Sequence, residues 1–142
     1  MSASQSNGSY TLLIAEDDAD DRTFIKEALV NYPRPLTLTF VEDGDELLRY
    51  LAGDGPRPRL VLLDVNMPRK DGKQALREMR AEPSLKTLPV VAFTTSTSED
   101  LKHEMLSLGA NWFVSKPNSH KVYVQALTEI LDTWMAVWQP SL

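Results

Sequence analysis

Residues Leu60 to Gly72 read LVLLDVNMPRKDG. Four apolar residues run unbroken into Asp64, and turn-forming and charged residues follow as far as Gly72. A short continuous apolar run bounded by turn residues marks a strand sealed on both faces. Strands of that kind belong to parallel sheets covered by helices on both sides. A carboxylate at the end of such a strand needs a compensating partner. The reading of the chain turns on what meets Asp64.

Working outward, TLLIA (Thr11 to Ala15) is a second strand, and it too runs into acids, Glu16, Asp17, Asp18, Asp20 and Asp21. Phe24, Ile25, Ala28 and Leu29 then recur at helical spacing. PLTLTFVEDG is rich in β-branched and aromatic residues and stops at Gly44, and DELLRYLAG is a short amphipathic helix ended by Gly53. Ala75, Leu76 and Met79 mark the helix after Gly72. LPVVAFTT is another buried strand, and STSEDLKHEMLSLG a helix that closes on Gly109. Ser96 with Glu99 has the spacing of a capping box. NWFVSK is a last strand before Pro117, and an aromatic-rich helix runs from Lys121 to Trp138. Five strands alternating with five helices predict one α/β domain over residues 10–138, with a polar leader at 1–9 and a tail at 139–142.

Composition narrows the function. Of the 142 residues, 42% are hydrophobic and 25% charged, which suits one globular domain. A net charge of −5 without a Lys/Arg cluster argues against nucleic acid and anionic membrane. The absence of cysteine excludes disulfides, zinc ribbons and thiol nucleophiles. No apolar run reaches the ~20 residues of a membrane span and no signal pattern opens the chain, so a cytoplasmic protein is expected.

In an open parallel sheet the site forms outside the carboxyl ends of the strands. Those ends carry Glu16 and Asp17, Asp64, Thr94-Thr95-Ser96, and Ser115-Lys116-Pro117. If the first and third strands are neighbours, three carboxylates converge beside a lysine and hydroxyls. Like charges so close survive by protonation or by holding a cation. Oxygen ligands in small number suit Mg²⁺ and a phosphate, with Lys116 adding a positive charge. Each piece also has a plainer reading. Asp17 to Asp21 complement the positive end of a helix, with Asp20 and Asp21 placed in that class. Lys116 also fits a turn, and Asn66 and Pro68 also read as turn residues.

IAEDD, LLDVNMPRKDG, VVAFTT and FVSKP occur in order and at the spacing of the receiver domain of two-component response regulators. The chain resembles that family from about Thr11 to Trp138. The resemblance implies a flavodoxin-like (βα)5 three-layer sandwich with strand order 2-1-3-4-5. It implies that Asp64 is the phosphoacceptor for a sensor histidine kinase. Asp17 would ligate Mg²⁺ directly, Glu16 through metal-bound water, and Asn66 through its backbone carbonyl. Lys116 and Thr94 would bind the phosphoryl oxygens, Thr95 would tune the lifetime of the acyl phosphate, and Phe113 would be the switch aromatic. Pro117 would follow a cis bond.

Among single-domain members the chain is most similar to those paired with phytochrome-type kinases, on the DDADDR opening, LGAN and the Trp-rich end. In this chain Asn118, Ser119 and His120 stand where a hydrophobic residue is common, and Lys70 is an unusual positive charge, read here as a solvated loop lysine. Tyr123, Leu127, Ile130, Trp134 and Trp138 form one stripe, broadened by Val124, Leu131 and Met135. That stripe is either a broad core face or, with the fourth helix and fifth strand, a homodimer surface. Trp112 and Phe113 point to opposite faces of their strand. The expected protein is a phosphoacceptor and not an enzyme. A phosphorylation-independent scaffold, a phosphorelay intermediate and a Mg²⁺-dependent aspartyl phosphatase are the rivals. The phosphatase wants a second acid two residues beyond the nucleophile, where this chain has Asn66.

Overall fold

The computed structural model describes residues 9–137. The leader residues before Ser9, the tail at 139–142 and Trp138 lie outside the described residues. Ser9 shares a 2.6 Å hydroxyl–hydroxyl hydrogen bond with Thr37.

The strands are β1 (Tyr10–Ala15), β2 (Leu36–Val41), β3 (Leu60–Leu63), β4 (Val90–Thr94) and β5 (Trp112–Ser115). All pair in parallel in the order β2-β1-β3-β4-β5, as the resemblance implies. The helices are α1 (Ala19–Leu29), α2 (Gly44–Ala52), α3 (Gly72–Ala81), α4 (Glu99–Ser107) and α5 (His120–Val137), with a 3₁₀ turn at Pro83–Leu85.

The unbroken apolar strands are explained by two cores. Leu13, Ala15, Val61 and Leu63 face one side, under Leu47 of α2, Leu76 and Met79 of α3 and Met105 of α4. Leu12, Ile14, Leu60 and Leu62 face the other, under Ile25 of α1 and Leu127 and Leu131 of α5. Period-two alternation thus divides each strand between two covered faces. Most of the stripe on the last helix is a core face: Tyr123, Leu127, Ile130, Leu131 and Met135 are buried, and Val124 and Trp134 pack at the edge of the core.

Helix starts follow from short acceptor side chains. Asp18, Asp43, Asp71 and Ser98 each cap a helix by accepting from the amide three residues on. The cap of α4 is therefore Ser98 and not the Ser96 of the capping-box spacing. Ser96 instead accepts from the Ser98 amide at 3.1 Å. A side chain at Gly72 would meet the Asp64 carbonyl oxygen at 2.5 Å, so only glycine lets α3 start against the end of β3. Gly109, at φ 115°, ends α4 in the left-handed region that favours glycine. Among the described residues no helix is long and apolar enough to cross a membrane.

Candidate functional site

Strand register assembles the site. Ala15 lies beside Leu63, and the Asp64 amide donates to the Ala15 carbonyl at 3.0 Å. Glu16, Asp17 and Asp64 therefore leave their strands side by side. The Glu16 amide donates to the Val41 carbonyl at 2.9 Å, which fixes it from the β2 side. Thr94 pairs with Ser115, and the Lys116 amide donates to the Thr94 carbonyl at 2.7 Å.

One carboxylate oxygen from each of Glu16, Asp17 and Asp64 lies within 4.8 Å of the others. Glu16 and Asp64 are buried and Asp17 is exposed. An oxygen-only donor set with one member open to water fits a hard divalent cation that keeps several waters, as Mg²⁺ does. The exposed Asn66 follows on the loop after β3, and its amide donates to Asp64 Oδ1 at 3.4 Å. Burial pushes the Glu16 carboxyl up to about 7; Asp64 nearby adds to the rise, and the Lys116 hydrogen bond opposes it. A cation in the cluster would relieve that cost.

Lys116 is the central cation, its side chain 4% exposed. The ammonium donates to Glu16 Oε1 at 2.6 Å and to Asp21 Oδ2 at 2.9 Å, and it stands 3.8 Å from Asp64 Oδ2. Burial by itself would lower its pKa, but the bonds to Asp21 and Glu16 and the nearby Asp64 charge outweigh burial and raise it. Asp21 does lie with Asp20 in the first turn of α1, as expected, and it also bonds Lys116, a contact that the helix-end placement does not include. The spacing of the first turn of α1 shows an acid there, but only packing shows that it faces Lys116.

Thr94 is fully buried, and its hydroxyl has no hydrogen-bond partner. Buried hydroxyls are ordinarily satisfied, so one orphaned at this strand end is suited to an incoming acceptor oxygen. Thr95 is exposed and, with Lys116 and Pro117, lines a cavity of about 310 Å³ whose walls include Asp21, Phe24 and Tyr123. The Lys116–Pro117 bond is trans, since no peptide bond among the described residues is cis. That corrects the cis expectation: trans is the ordinary preference for X-Pro bonds, and a trans bond already delivers Lys116 to the carboxylates.

Phe113 is buried in the layer under α4, while Trp112 is 45% exposed beneath the Lys102 ammonium, 4.9 Å from its ring centre. The two do point to opposite faces. Lys70 is not a free loop lysine. It bridges Asp45 at 3.3 Å and Glu78 at 2.8 Å. Arg69 takes a φ of 63° and donates from Nε to Asp43 Oδ2 at 2.6 Å. Asp43 is buried, and its carboxyl is held below the ordinary carboxylate range by the Glu46 amide and by Arg69, against the effect of burial. These contacts fasten the loop after β3 to the start of α2. The spacing of Asp43 and Glu46 signals the cap, but nothing local signals Arg69.

Comparison with known proteins shows the family and the fold. The family described as the response regulator receiver domain matches residues 12–128. Response regulator Rcp1 of Synechocystis sp. is 32% identical over 136 residues, which is 92% of each chain. The phosphorylated cyanobacterial phytochrome response regulator RcpA has a similar structure, with a TM-score of 0.84, 34% identity, and 93% of this chain and 99% of that one covered. The receiver domain of sensor histidine kinase PA1611 of Pseudomonas aeruginosa, with a magnesium ion coordinated in its active site cleft, gives a TM-score of 0.76 at 26% identity, covering 90% of this chain and 98% of that one.

Proposed function

The chain belongs to the response regulator receiver domain family of two-component signalling, and from that premise we propose that it accepts a phosphoryl group from a sensor histidine kinase onto Asp64 in a Mg²⁺-dependent reaction. The carrying observation is the grouping of Glu16, Asp17 and Asp64 within 4.8 Å, with the Lys116 ammonium 3.8 Å from Asp64. Glu16, Asp17, Asp64 and the Asn66 backbone carbonyl would hold Mg²⁺. When bound, the ion neutralises phosphoryl charge that would otherwise repel the carboxylates.

An Asp64 oxygen attacks phosphorus as the phosphorus–nitrogen bond of a phosphohistidine breaks. The leaving nitrogen keeps the electron pair and takes a proton from solvent. Lys116 and the Thr94 hydroxyl then bind phosphoryl oxygens. Thr95 borders the cavity beside Lys116, where its side chain sets water access and hence phosphate lifetime. Phe113 is already inward at 6% exposure, so phosphorylation would stabilise that position rather than create it. The proposed output face is α4, β5 and α5, where Trp112, Val114, Ile130 and Trp134 line a groove. A phytochrome-type kinase is the proposed partner, on the likeness to Rcp1 and RcpA. A homodimer through the same face is the second reading, supported by the exposed Trp112 and tested by light scattering over a concentration series.

The main test is incubation with phosphoramidate and Mg²⁺, followed by intact mass. One phosphate that persists for minutes and is lost in Asp64→Asn supports the phosphoacceptor. No uptake favours the scaffold, and rapid turnover of phosphoesters favours the phosphatase.

A further inference from the structure

We propose that Asp21 is a positioning residue that parks Lys116 away from Asp64 until a phosphoryl group arrives. This rests on the phosphoacceptor reading above. The Lys116 ammonium has three N–H donors. Two are committed, to Glu16 at 2.6 Å and to Asp21 at 2.9 Å, while Asp64 Oδ2 at 3.8 Å lies beyond hydrogen-bond reach. One N–H is uncommitted, so a second bond to phosphoryl oxygens on Asp64, or a shift of the ammonium toward them, takes a donor from Glu16 or Asp21.

The two partners are not equivalent. Glu16 is part of the three-carboxylate group that suits a cation, and Asp21 is not. A cation held by Glu16, Asp17 and Asp64 would compete with Lys116 for Glu16, whereas Asp21 lies outside that group. Asp21 is therefore the carboxylate whose hold on Lys116 persists when the site is loaded. Its backbone is fixed for the task, because its amide donates to Asp18, the cap of α1, at 3.0 Å. A ligand that draws a donor away from Asp21 binds with its affinity multiplied by the fraction of Lys116 already released. Asp21 thus sets how readily the site accepts a phosphoryl group.

Asp20 provides the control. It lies in the same first turn and carries the same charge, but it is exposed and makes none of the Lys116 bonds. If Asp21 acted only through net charge or the helix end, Asp20→Asn and Asp21→Asn would behave alike.

The test measures beryllofluoride affinity at fixed Mg²⁺ by ¹⁹F NMR titration, and phosphoramidate uptake by intact mass, in the full chain. Asp21→Asn is expected to tighten beryllofluoride binding and speed uptake on the order of tenfold, the factor carried by one charge-assisted hydrogen bond. Asp20→Asn is expected to change both less than twofold, and Asp21→Glu to return part of the wild-type behaviour. In a Lys116→Met background, shown by circular dichroism to fold, the Asp21 effect should vanish. Equal effects of Asp20→Asn and Asp21→Asn overturn the proposal, as does an Asp21 effect that survives without Lys116. If Lys116→Met does not fold, the Asp20 and Asp21 pair decides alone. Wild-type protein that takes up neither probe overturns the phosphoacceptor reading and this one with it. Wild-type uptake with an unchanged Asp21→Asn overturns this one only.

Discussion

Glu16 tests whether the acidic cluster is built around a cation. Its side chain is 3% exposed, and burial lifts its carboxyl from the ordinary 4.5 to about 7. Between those two values the native protein holds a proton that the unfolded chain has released. Stability is therefore greatest below the unfolded value, falls as pH rises through the window and levels off above the folded value. At 1.36 kcal/mol per pH unit the full fall is about 3 kcal/mol. Asp43 and Glu78 lie on the other side of the balance. Their folded values are lowered from 3.8 and 4.5, so their contribution is present above those values and is lost as pH falls. They leave the upper window to Glu16. The assay is urea unfolding by circular dichroism in EDTA at pH 4.5 and pH 8. Wild type should lose about 3 kcal/mol between them. Glu16→Gln keeps an oxygen for Lys116 but has no proton to release, so its loss should fall below about 1 kcal/mol. Saturating Mg²⁺ should restore stability at pH 8 by mass action, about 2.7 kcal/mol at a hundred times Kd. A Glu16→Gln protein with the wild-type fall would refute the reasoning, and so would Mg²⁺ without effect at pH 8.

Three further outcomes follow from contacts outside the carboxylates. Gly72→Ala places a Cβ 2.5 Å from the Asp64 carbonyl oxygen and 2.9 Å from Val65 Cα. The overpacking should cost about 1–3 kcal/mol in urea unfolding and weaken Mg²⁺ binding measured by calorimetry, because the strand end that carries Asp64 must shift. Asp43→Ala removes both the cap of α2 and the partner of Arg69; a loss of about 1–2 kcal/mol at pH 7 is expected from the cap, shrinking in acid as wild-type Asp43 protonates, and is read from the urea midpoint against pH. Arg80 donates to the carbonyls of Gly109, Leu85 and Leu88 and to Asn111 Oδ1. A lysine has no planar fork to serve that set, so Arg80→Lys should lower stability by about 2 kcal/mol in thermal or urea unfolding, at unchanged phosphoramidate uptake.

Much of this molecule was written locally. Leu60 to Leu63, Thr11 to Ala15 and the run into Thr94 identified themselves as strands because a strand sealed on both faces leaves no polar alternation. Asp18, Asp43 and Asp71 begin helices because a short acceptor serves the amide three residues on. Once the strands are parallel, chemistry belongs at their carboxyl ends, so Glu16, Asp17, Asp64, Thr94 and Lys116 are legible as strand-end residues, and their convergence depends on β1 lying beside β3, which the family resemblance implies and the pairing shows.

What only the tertiary structure decided is which partner each charge takes. Lys116 reaches Glu16 and Asp21 across about a hundred residues of sequence, and Lys70 and Arg69 settle on α2 and α3. Ser98 takes the cap from Ser96, and the bond before Pro117 stays trans. Periodicity and turn chemistry act over a few residues, so the sequence states them directly. A long charged side chain can reach several partners, and its choice is set by the strand register and helix packing that bring distant residues within 3 Å.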